Sequence, residues 1–271
     1  MSPELVTSTS NPHLKRIRRL RARKHRDKQE AFFVEGIQPV TLALQHSAPL
    51  DLVLLAPEIL GDHPVVSLVE EKASEVAIVE VGADAFASVS VRDDPSGIAV
   101  VVKTTPVELG ALEVNSESLF VALDEVGNPG NLGAIVRTLD AVGGDAVILM
   151  GAATDPWHPT AVKASMGTIF ARPICRVTGF EELQEWARER GVSLVTTSAK
   201  AEAEHWDSDI TLPALLVFGS EGKGLPKEVL GAGDVAVRIP IEGSASSLNL
   251  AIAASVLLYE VQRRRRAADT R

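Results

Sequence analysis

The C-terminal half of this chain alternates short apolar runs with amphipathic segments, and this alternation limits the possible folds more than any other feature. The apolar runs have strand length, and the amphipathic segments have helical spacing. The predicted strands are 119–123, 146–150, 173–177, 192–196, 215–218 and 235–239. The predicted helices are 131–142, 160–166, 180–190 and 246–266. Strands and helices at this spacing favour a largely parallel sheet covered on both faces, which is an α/β fold.

The first 100 residues predict a smaller α/β unit. Its helices are expected at 11–28, 37–46 and 64–73, and its strands at 31–34, 52–55, 76–81 and 98–102. Residues 103–117 have weak periodicity and contain Pro, Gly, Asn and Ser, as a linker does. We therefore expect two domains, at 1–105 and 116–271.

The charge of the chain is polarised. The net charge is −9, yet residues 1–28 hold nine basic and two acidic residues, a local +7 that leaves −16 for the rest. Such asymmetry indicates a local contact with a polyanion, and a solvated helix face is the alternative. A second basic run, 263–266, complements the negative end of the last helix.

Several classes of protein are excluded by composition. No apolar run approaches the roughly 20 residues of a bilayer span, which predicts no membrane association. Cys175 is the single cysteine, so no internal disulfide forms, and its apolar strand makes it a core residue. No His, Cys and Asp residues have metal-ligand spacing, and no metal is expected. A cytoplasmic location is the default for such a chain.

Three polar, glycine-rich segments each follow a predicted strand, at 128–138, 218–226 and 239–250. Ligands gather at the carboxyl ends of strands in open α/β sheets, so these segments indicate one composite site. In the first segment, Arg137 lies off the apolar stripe of the predicted helix. The second lacks the spacing of a nucleotide triphosphate loop and of the dinucleotide fingerprint. In the third, an almost wholly apolar helix begins near Leu248, and such a helix is expected to be buried.

These segments resemble, in order, the three motifs of the SpoU/TrmH family of RNA 2′-O-ribose methyltransferases, within the SPOUT superfamily. The first motif, Asn-x-Gly-Asn-Leu-Gly-x-x-x-Arg, spans Asn128 to Arg137, and the second, Gly-x-Glu-x-x-Gly, spans Gly219 to Gly224. The third, Ile-Pro-x-x-Gly-x-x-x-Ser-Leu-Asn, spans 239–249. The likeness covers residues 118–262. The spelling around the third motif is most similar to the ribosomal-RNA branch, and the N-terminal half is more loosely similar to the family's small domain, which is like ribosomal protein L30e.

The resemblance implies a C-terminal methyltransferase domain with a parallel sheet and a trefoil knot, and a smaller N-terminal α/β domain that binds RNA. It implies S-adenosylmethionine as cofactor and structured RNA, most of all 23S rRNA, as substrate. It also implies a homodimer in which Arg137 can act at the partner's site. The cofactor-binding residues it implies are Thr197, Ser198, Gly219, Gly224, Ile239 and Leu248. The catalytic residues it implies are Arg137, Asn131, Glu221, Ser247 and Asn249.

In the family, the arginine that corresponds to Arg137 is proposed as the base, but a guanidinium titrates far above neutral pH, so binding a phosphate or orienting the hydroxyl is chemically easier. The basic N-terminal segment is expected to hold phosphates through Lys15, Arg16, Arg19 and Arg23. Three other functions are weighed against this one. A tRNA substrate fits the same motifs. A non-catalytic RNA-binding protein would be expected to lack Arg137 or Asn249. A dinucleotide-dependent oxidoreductase would need the missing glycine fingerprint.

Overall fold

The computed structural model describes residues 5–269 of the chain, with side chains up to residue 267. The chain forms two compact units. Unit 1 comprises Met1–Thr105 and Trp157–Ala171, and unit 2 comprises Pro106–Pro156 and Arg172–Arg271. The segment from Trp157 to Ala171 therefore packs with the N-terminal residues, although it lies within the C-terminal half of the sequence.

The strands and helices follow the predicted alternation. Up to residue 103 they are α1 (Pro12–Arg19), α2 (Arg23–Gln29), β1 (Ala31–Glu35), α3 (Ile37–Gln45), β2 (Leu50–Leu55), α4 (Pro57–Leu60), α5 (Val65–Lys72), β3 (Ile78–Glu80), α6 (Ala83–Ala87) and β4 (Ile98–Lys103). Then follow β5 (Leu119–Asp124), α7 (Pro129–Ala141), β6 (Ala146–Met150), α8 (Pro159–Ser165), β7 (Ile174–Val177), α9 (Phe180–Arg190), β8 (Ser193–Thr197), β9 (Ala203–Glu204), β10 (Ala214–Phe218), α10 (Lys227–Gly231), β11 (Val235–Arg238) and α11 (Leu250–Asp269).

Unit 1 is built on a four-stranded mixed sheet in the order β1-β4-β2-β3. Strand β4 pairs antiparallel with β1 and β2, and β2 pairs parallel with β3. Leu14, Ile17 and Leu20 are at most 1% exposed and pack into the core beside Phe86. Their spacing along the chain is helical, so burial of this one face explains why a strongly basic segment is helical.

The prediction of one helix over 11–28 is wrong, because the chain bends between α1 and α2. The side chain of Arg26 is buried, and its Nη1 donates to the carbonyl oxygens of Leu20 and Arg21 at 2.8 Å. These carbonyls lie at the bend, where no amide of a continuing helix donates to them. A buried arginine thus satisfies the carbonyl groups that the helix break exposes.

Unit 2 contains a seven-stranded sheet in the order β7-β6-β5-β10-β8-β11-β9, and every pair in it is parallel. The prediction of a parallel sheet is therefore confirmed. The central strands β5 and β10 are buried along almost their whole length, as both-face coverage requires. Sequence reasoning missed β9, whose two residues are too few to leave a periodic signal.

One face of this sheet packs against α9. Leu183, Trp186 and Ala187 form the buried side of that helix, and the Trp186 ring meets Phe120 edge-on at 5.2 Å. Cys175 on β7 belongs to the same core, and burial raises the pKa of its thiol to about 11. The prediction that Cys175 is a core residue is therefore confirmed.

Helix α11 differs from its prediction in two ways. It begins at Leu250 rather than at residue 246, because the Asn249 side chain ends the preceding loop by accepting from the amides of Ala251 and Ile252. It is also only partly buried, since Ile252 is 55% exposed and Tyr259 52% exposed. The expectation of a buried apolar helix is therefore wrong within this single chain.

Candidate active site

The three motif segments leave one edge of the unit 2 sheet. They follow β5, β10 and β11, and β8 lies between β10 and β11 in the same sheet. All of these strands are parallel, so their carboxyl ends meet at a common edge. This edge is where ligands bind in open parallel sheets.

A chain of side-chain hydrogen bonds joins the three segments. Asn249 Nδ2 donates to Asn131 Oδ1 at 3.2 Å, and Asn131 Nδ2 donates to Glu221 Oε1. Asn131 is 8% exposed, whereas Glu221 and Asn249 are exposed. One residue from each motif therefore takes part in a single polar network.

The first segment forms the start of α7. Asn128 caps that helix by accepting from the amides of Gly130 and Asn131, and Pro129 occupies the first helical position, where a missing N–H is tolerated. Capping fixes the first turn of α7. Asn131, in that turn, is thereby aimed at Glu221 and Asn249.

The second segment is a loop that closes on itself. The Gly224 amide donates to the Ser220 carbonyl at 2.9 Å, and Gly224 has a φ of +68°. A Cβ on Gly219 would lie 2.1 Å from the Gly224 carbonyl carbon, so only glycine fits there. The loop therefore presents backbone rather than side chains near Gly219.

The remaining predicted cofactor residues also lie at or just beyond this edge. Thr197 ends β8, where its Oγ1 donates to the Val217 carbonyl at 2.9 Å, and the Ser198 amide donates to the Val237 carbonyl at 3.0 Å. Ile239 immediately follows β11, and Leu248 is 37% exposed. These residues come from the loops that follow β8 and β11, next to the Gly219 loop.

Arg137 and Ser247 do not join the hydrogen-bonded network. Arg137 is exposed on α7, on the side away from the buried stripe of Leu132, Ile135, Val136 and Leu139. It lies six residues beyond Asn131, which in a helix is about 9 Å along the axis and about 240° around it. Within residues 5–269 neither Arg137 nor Ser247 has a side-chain hydrogen bond or ion pair.

Asp124 is a polar residue of this edge that sequence reasoning missed. It ends β5, pairs in register with Met150 and immediately follows Leu123, the register partner of Phe218. Burial raises the pKa of its carboxyl above the ordinary value, and repulsion from Glu125 adds to this effect. Its position as the last residue of the strand before the first motif was the available signal.

The four basic residues predicted to contact RNA lie in unit 1 and differ in their surroundings. Arg16 is engaged, because Nη1 lies 2.5 Å from Asp51 Oδ2 and Nε donates to Gln29 at 2.7 Å. Lys15 and Arg19 are exposed one helical turn apart on α1. Arg23 is exposed and pairs with Asp27 at 3.5 Å.

Two kinds of site are not found in the described part of the chain. Within residues 5–269, no cluster of three or more His, Cys, Asp or Glu side chains is arranged to hold a metal ion. No helix between the same limits combines the length and the apolar character that a bilayer span requires.

The parallel sheet and the linked loops at its carboxyl edge define a ligand-binding α/β enzyme domain in a chain that also contains a second α/β unit. Residues 118–259 match the SpoU rRNA methylase family, and residues 11–100 match the MRM3-like substrate binding domain. The chain belongs to the SpoU methylase family.

Relatives that span nearly the whole chain agree with this assignment. A 23S rRNA (uridine(2479)-2′-O)-methyltransferase of Streptomyces viridochromogenes is 32% identical over 251 residues, which are 90% of this chain and 86% of the relative. The AdoMet-bound rRNA methyltransferase of Sinorhizobium meliloti has a TM-score of 0.86 at 34% identity and covers 96% of this chain and 98% of its own. The SpoU methyltransferase AviRb of Streptomyces viridochromogenes has a TM-score of 0.85 at 30% identity, covering 95% and 99%.

Proposed function

We infer that this protein is an S-adenosylmethionine-dependent methyltransferase that modifies a ribose 2′-hydroxyl of ribosomal RNA. The observation that carries the inference is the hydrogen-bonded chain from Asn249 through Asn131 to Glu221, which ties the three family motifs together at one sheet edge. Within the family, 23S rRNA is the substrate we propose, in line with the activity for which the Streptomyces relative is named.

The loops at this edge fit S-adenosylmethionine. A cofactor held mainly by main-chain groups needs closely packed backbone, and the Gly219 loop supplies it because its own backbone occupies the space of a side chain. We propose that Gly219, Gly224, Ile239 and Leu248 bind the cofactor, and that Thr197 and Ser198 line the same pocket. Bound there, the cofactor supplies a methyl group that its sulfonium charge has already activated.

The residues around the pocket then position the ribose. Asn131, Glu221, Ser247 and Asn249 are proposed to orient the ribose and, in the dimer, Arg137 of the partner subunit. Holding the attacking oxygen in line and excluding water lowers the barrier without further covalent chemistry. Arg137 is proposed to bind the adjacent phosphate or orient the hydroxyl, which its permanent positive charge allows.

We propose that the active protein is a homodimer. Leu248, Ile252 and Tyr259 expose an apolar stripe beside the third motif, and a charged or polar surface would be expected there in a monomer. Helix α7, which carries Arg137, packs against α11, with Thr138 and Ser255 in hydrogen-bond contact at 3.1 Å. A partner seated on this face would bury the stripe and meet Arg137, which has no partner among the described residues of its own chain.

Further features of the family are proposed for this chain as well. They are a trefoil knot in the methyltransferase domain at 116–271, an RNA-binding domain at 1–105, and a cytoplasmic location. For RNA binding, Lys15, Arg19 and Arg23 keep exposed positive groups, whereas Arg16 is held by Asp51.

The test is transfer of a labelled methyl group from S-adenosylmethionine to separated 23S rRNA, 16S rRNA and tRNA from cells that lack the gene. We expect one 2′-O-methylated nucleotide in 23S rRNA. Labelling confined to tRNA would show that the substrate is tRNA rather than 23S rRNA, and the proposed reaction would stand. Absence of both cofactor binding and RNA labelling would overturn the function.

A further inference from the structure

Almost all described arginines of unit 2 interact with other residues of the protein. Among residues 106–156 and 172–267, every arginine except Arg137 has an interaction with another residue. Arg172 binds Asp140 at 2.7 Å, Arg238 binds Glu204 at 2.9 Å, and Arg264 binds Glu260 at 2.7 Å. The charges of these three arginines are at least partly neutralised by carboxylates of the same unit.

The lysines of unit 2 behave differently. Lys200, Lys223 and Lys227 are its three lysines, and all three are exposed. None of their ammonium groups has an ion pair or a hydrogen bond within the described part of the chain. Among the described residues of unit 2, four cations therefore have no side-chain ion pair or hydrogen bond. They are these three lysines and Arg137.

The three lysines all belong to the candidate active-site edge. Lys200 lies three residues beyond β8, Lys223 lies in the Gly219–Gly224 loop after β10, and Lys227 begins α10 directly after that loop. Strands β8 and β10 are hydrogen-bonded neighbours, so these loops leave the sheet side by side. Adjacent strands lie about 5 Å apart, within the reach of lysine side chains.

We propose that Lys200, Lys223 and Lys227 form a phosphate-binding cluster, here called the lysine cluster, which holds the RNA backbone beside the target ribose. The proposal rests on the function proposed above and extends it to residues that the three motifs do not specify.

Charge explains why such a cluster would be needed at this position. Unit 2 carries fourteen basic and twenty-two acidic residues, so most of its surface repels a polyanion. Uncommitted cations at the edge give the RNA one favourable approach. Lysine, a flexible point charge, binds phosphate without reading the base, so the cluster would set the register of the backbone but not its sequence.

The test is replacement of the cluster by glutamine, as Lys200→Gln, Lys223→Gln and Lys227→Gln, singly and together. We expect the triple variant to bind a 23S rRNA transcript about tenfold more weakly at about 0.1 M salt. The plot of log Kd against log salt concentration should lose about two to three units of slope, close to one per phosphate contact. KM for RNA should rise more than kcat falls.

Arg188→Gln is the matched control. Arg188 is an exposed cation of α9 in the same unit, and its only ion pair among the described residues is a 3.8 Å contact with Glu185. We expect it to leave the salt slope unchanged. Equal effects of Arg188→Gln and the single lysine variants would overturn the cluster, because the effect would then come from net charge alone.

Calorimetry with S-adenosylhomocysteine separates RNA binding from cofactor binding. A triple variant with unchanged RNA affinity and salt slope would refute the proposal, and so would one that loses only cofactor affinity. Failure of the proposed function is a different result, because wild-type protein would then neither bind S-adenosylhomocysteine nor methylate RNA.

Discussion

Asn249 Nδ2 donates a hydrogen bond to Asn131 Oδ1 over 3.2 Å, although the two residues lie 118 positions apart in the chain. The direction of this bond is fixed at its α11 end. Asn249 Oδ1 already accepts from the amides of Ala251 and Ile252, so its amino group must face Asn131. Asn131 must then accept with its oxygen and donate with its nitrogen, which requires Glu221 to be the acceptor. The N-terminal cap of α11 thus orients the whole network.

Replacing Asn249 by aspartate separates its two roles. An aspartate oxygen can still accept from the α11 amides, but it cannot donate to Asn131. We expect Asn249→Asp to keep most of the thermal stability and to lose about 10²-fold in kcat, which corresponds to about 3 kcal/mol of transition-state stabilisation. Single-turnover methylation of 23S rRNA is the measurement.

Asn249→Ala is the companion variant, because it loses the cap as well. Loss of a cap costs about 1 kcal/mol, which lowers Tm by about 2–4 °C in a protein of this size. If Asn249→Asp had wild-type turnover, the link to Asn131 would have no part in catalysis.

Arg137→Ala is expected to abolish turnover while cofactor binding persists. The side chain is exposed and has no bond to the other described residues, so its removal should change Tm by less than about 1 °C. Turnover should fall by about 10²-fold or more, since a fixed positive charge beside the reacting ribose is lost. Near-normal activity would refute the proposed role.

Mixing two inactive variants tests whether Arg137 acts in the partner subunit. In a mixed dimer of Arg137→Ala and Asn249→Asp chains, one of the two sites has both residues intact only if Arg137 crosses the interface. Random exchange of subunits should then restore about a quarter of wild-type activity. No recovery, with subunit exchange verified by mass spectrometry, would place Arg137 at the site of its own chain.

The strands and the position of the site could be predicted because their signals are local. Apolar runs such as 146–150 mark buried strands, and in a parallel sheet the loops that follow neighbouring strands must share one edge. The missed features depend on contacts of individual side chains, which periodicity does not reveal. The bend after α1 depends on where the Arg26 guanidinium points, and the ion pair of Arg16 depends on Asp51 in strand β2.

The sequence also failed to predict that one side of α11 is exposed, for a different reason. Its composition is apolar all round, which normally indicates burial in the same chain. Ile252 and Tyr259 remain exposed because no other described residue of the chain covers them. Composition therefore predicts that this side of α11 is covered, but it does not specify the partner that covers it.

Ile252→Asp tests the apolar stripe as the dimer interface. Ile252 is 55% exposed, so a carboxylate there should leave the isolated fold intact but should be strongly unfavourable once a partner buries it. We expect a monomer in analytical ultracentrifugation, with unchanged circular dichroism and with lost turnover. Ile59→Asp, at a 37% exposed position of unit 1, should remain dimeric. An Ile252→Asp variant that stays dimeric would exclude this face.

The basic residues of α1 and α2 should fall into two groups, those that bind RNA and those that stabilise the fold. Gln in place of Lys15, Arg19 and Arg23 removes exposed charges and should reduce the salt slope of RNA binding by about two to three units. Arg16→Gln should instead lower Tm, because it breaks the 2.5 Å contact with Asp51 and the bond to Gln29. Salt titrations and thermal unfolding of both variants distinguish the groups. If the triple variant kept the wild-type salt slope of RNA binding, these basic residues would form only a solvated helix face.

Glu260 should make part of the stability depend on pH. Hydrogen bonds from Arg263 and Arg264 lower the pKa of its carboxyl from 4.5 to about 2. A folded-state pKa below the unfolded value stabilises the fold above about pH 4.5, and this contribution is lost as the pH falls towards 2. Because Arg263 is 63% exposed and screened by solvent, the contribution should be at most about 2 kcal/mol.

Urea unfolding at a series of pH values should therefore show wild type more stable than Glu260→Gln near neutrality, with the difference narrowing in acid. Glu185→Gln, which loses only an exposed pair, should show no such trend. If the difference in unfolding free energy between wild type and Glu260→Gln stayed constant from neutral pH to pH 3, the contribution would come from packing and neutral hydrogen bonds rather than from the carboxylate charge.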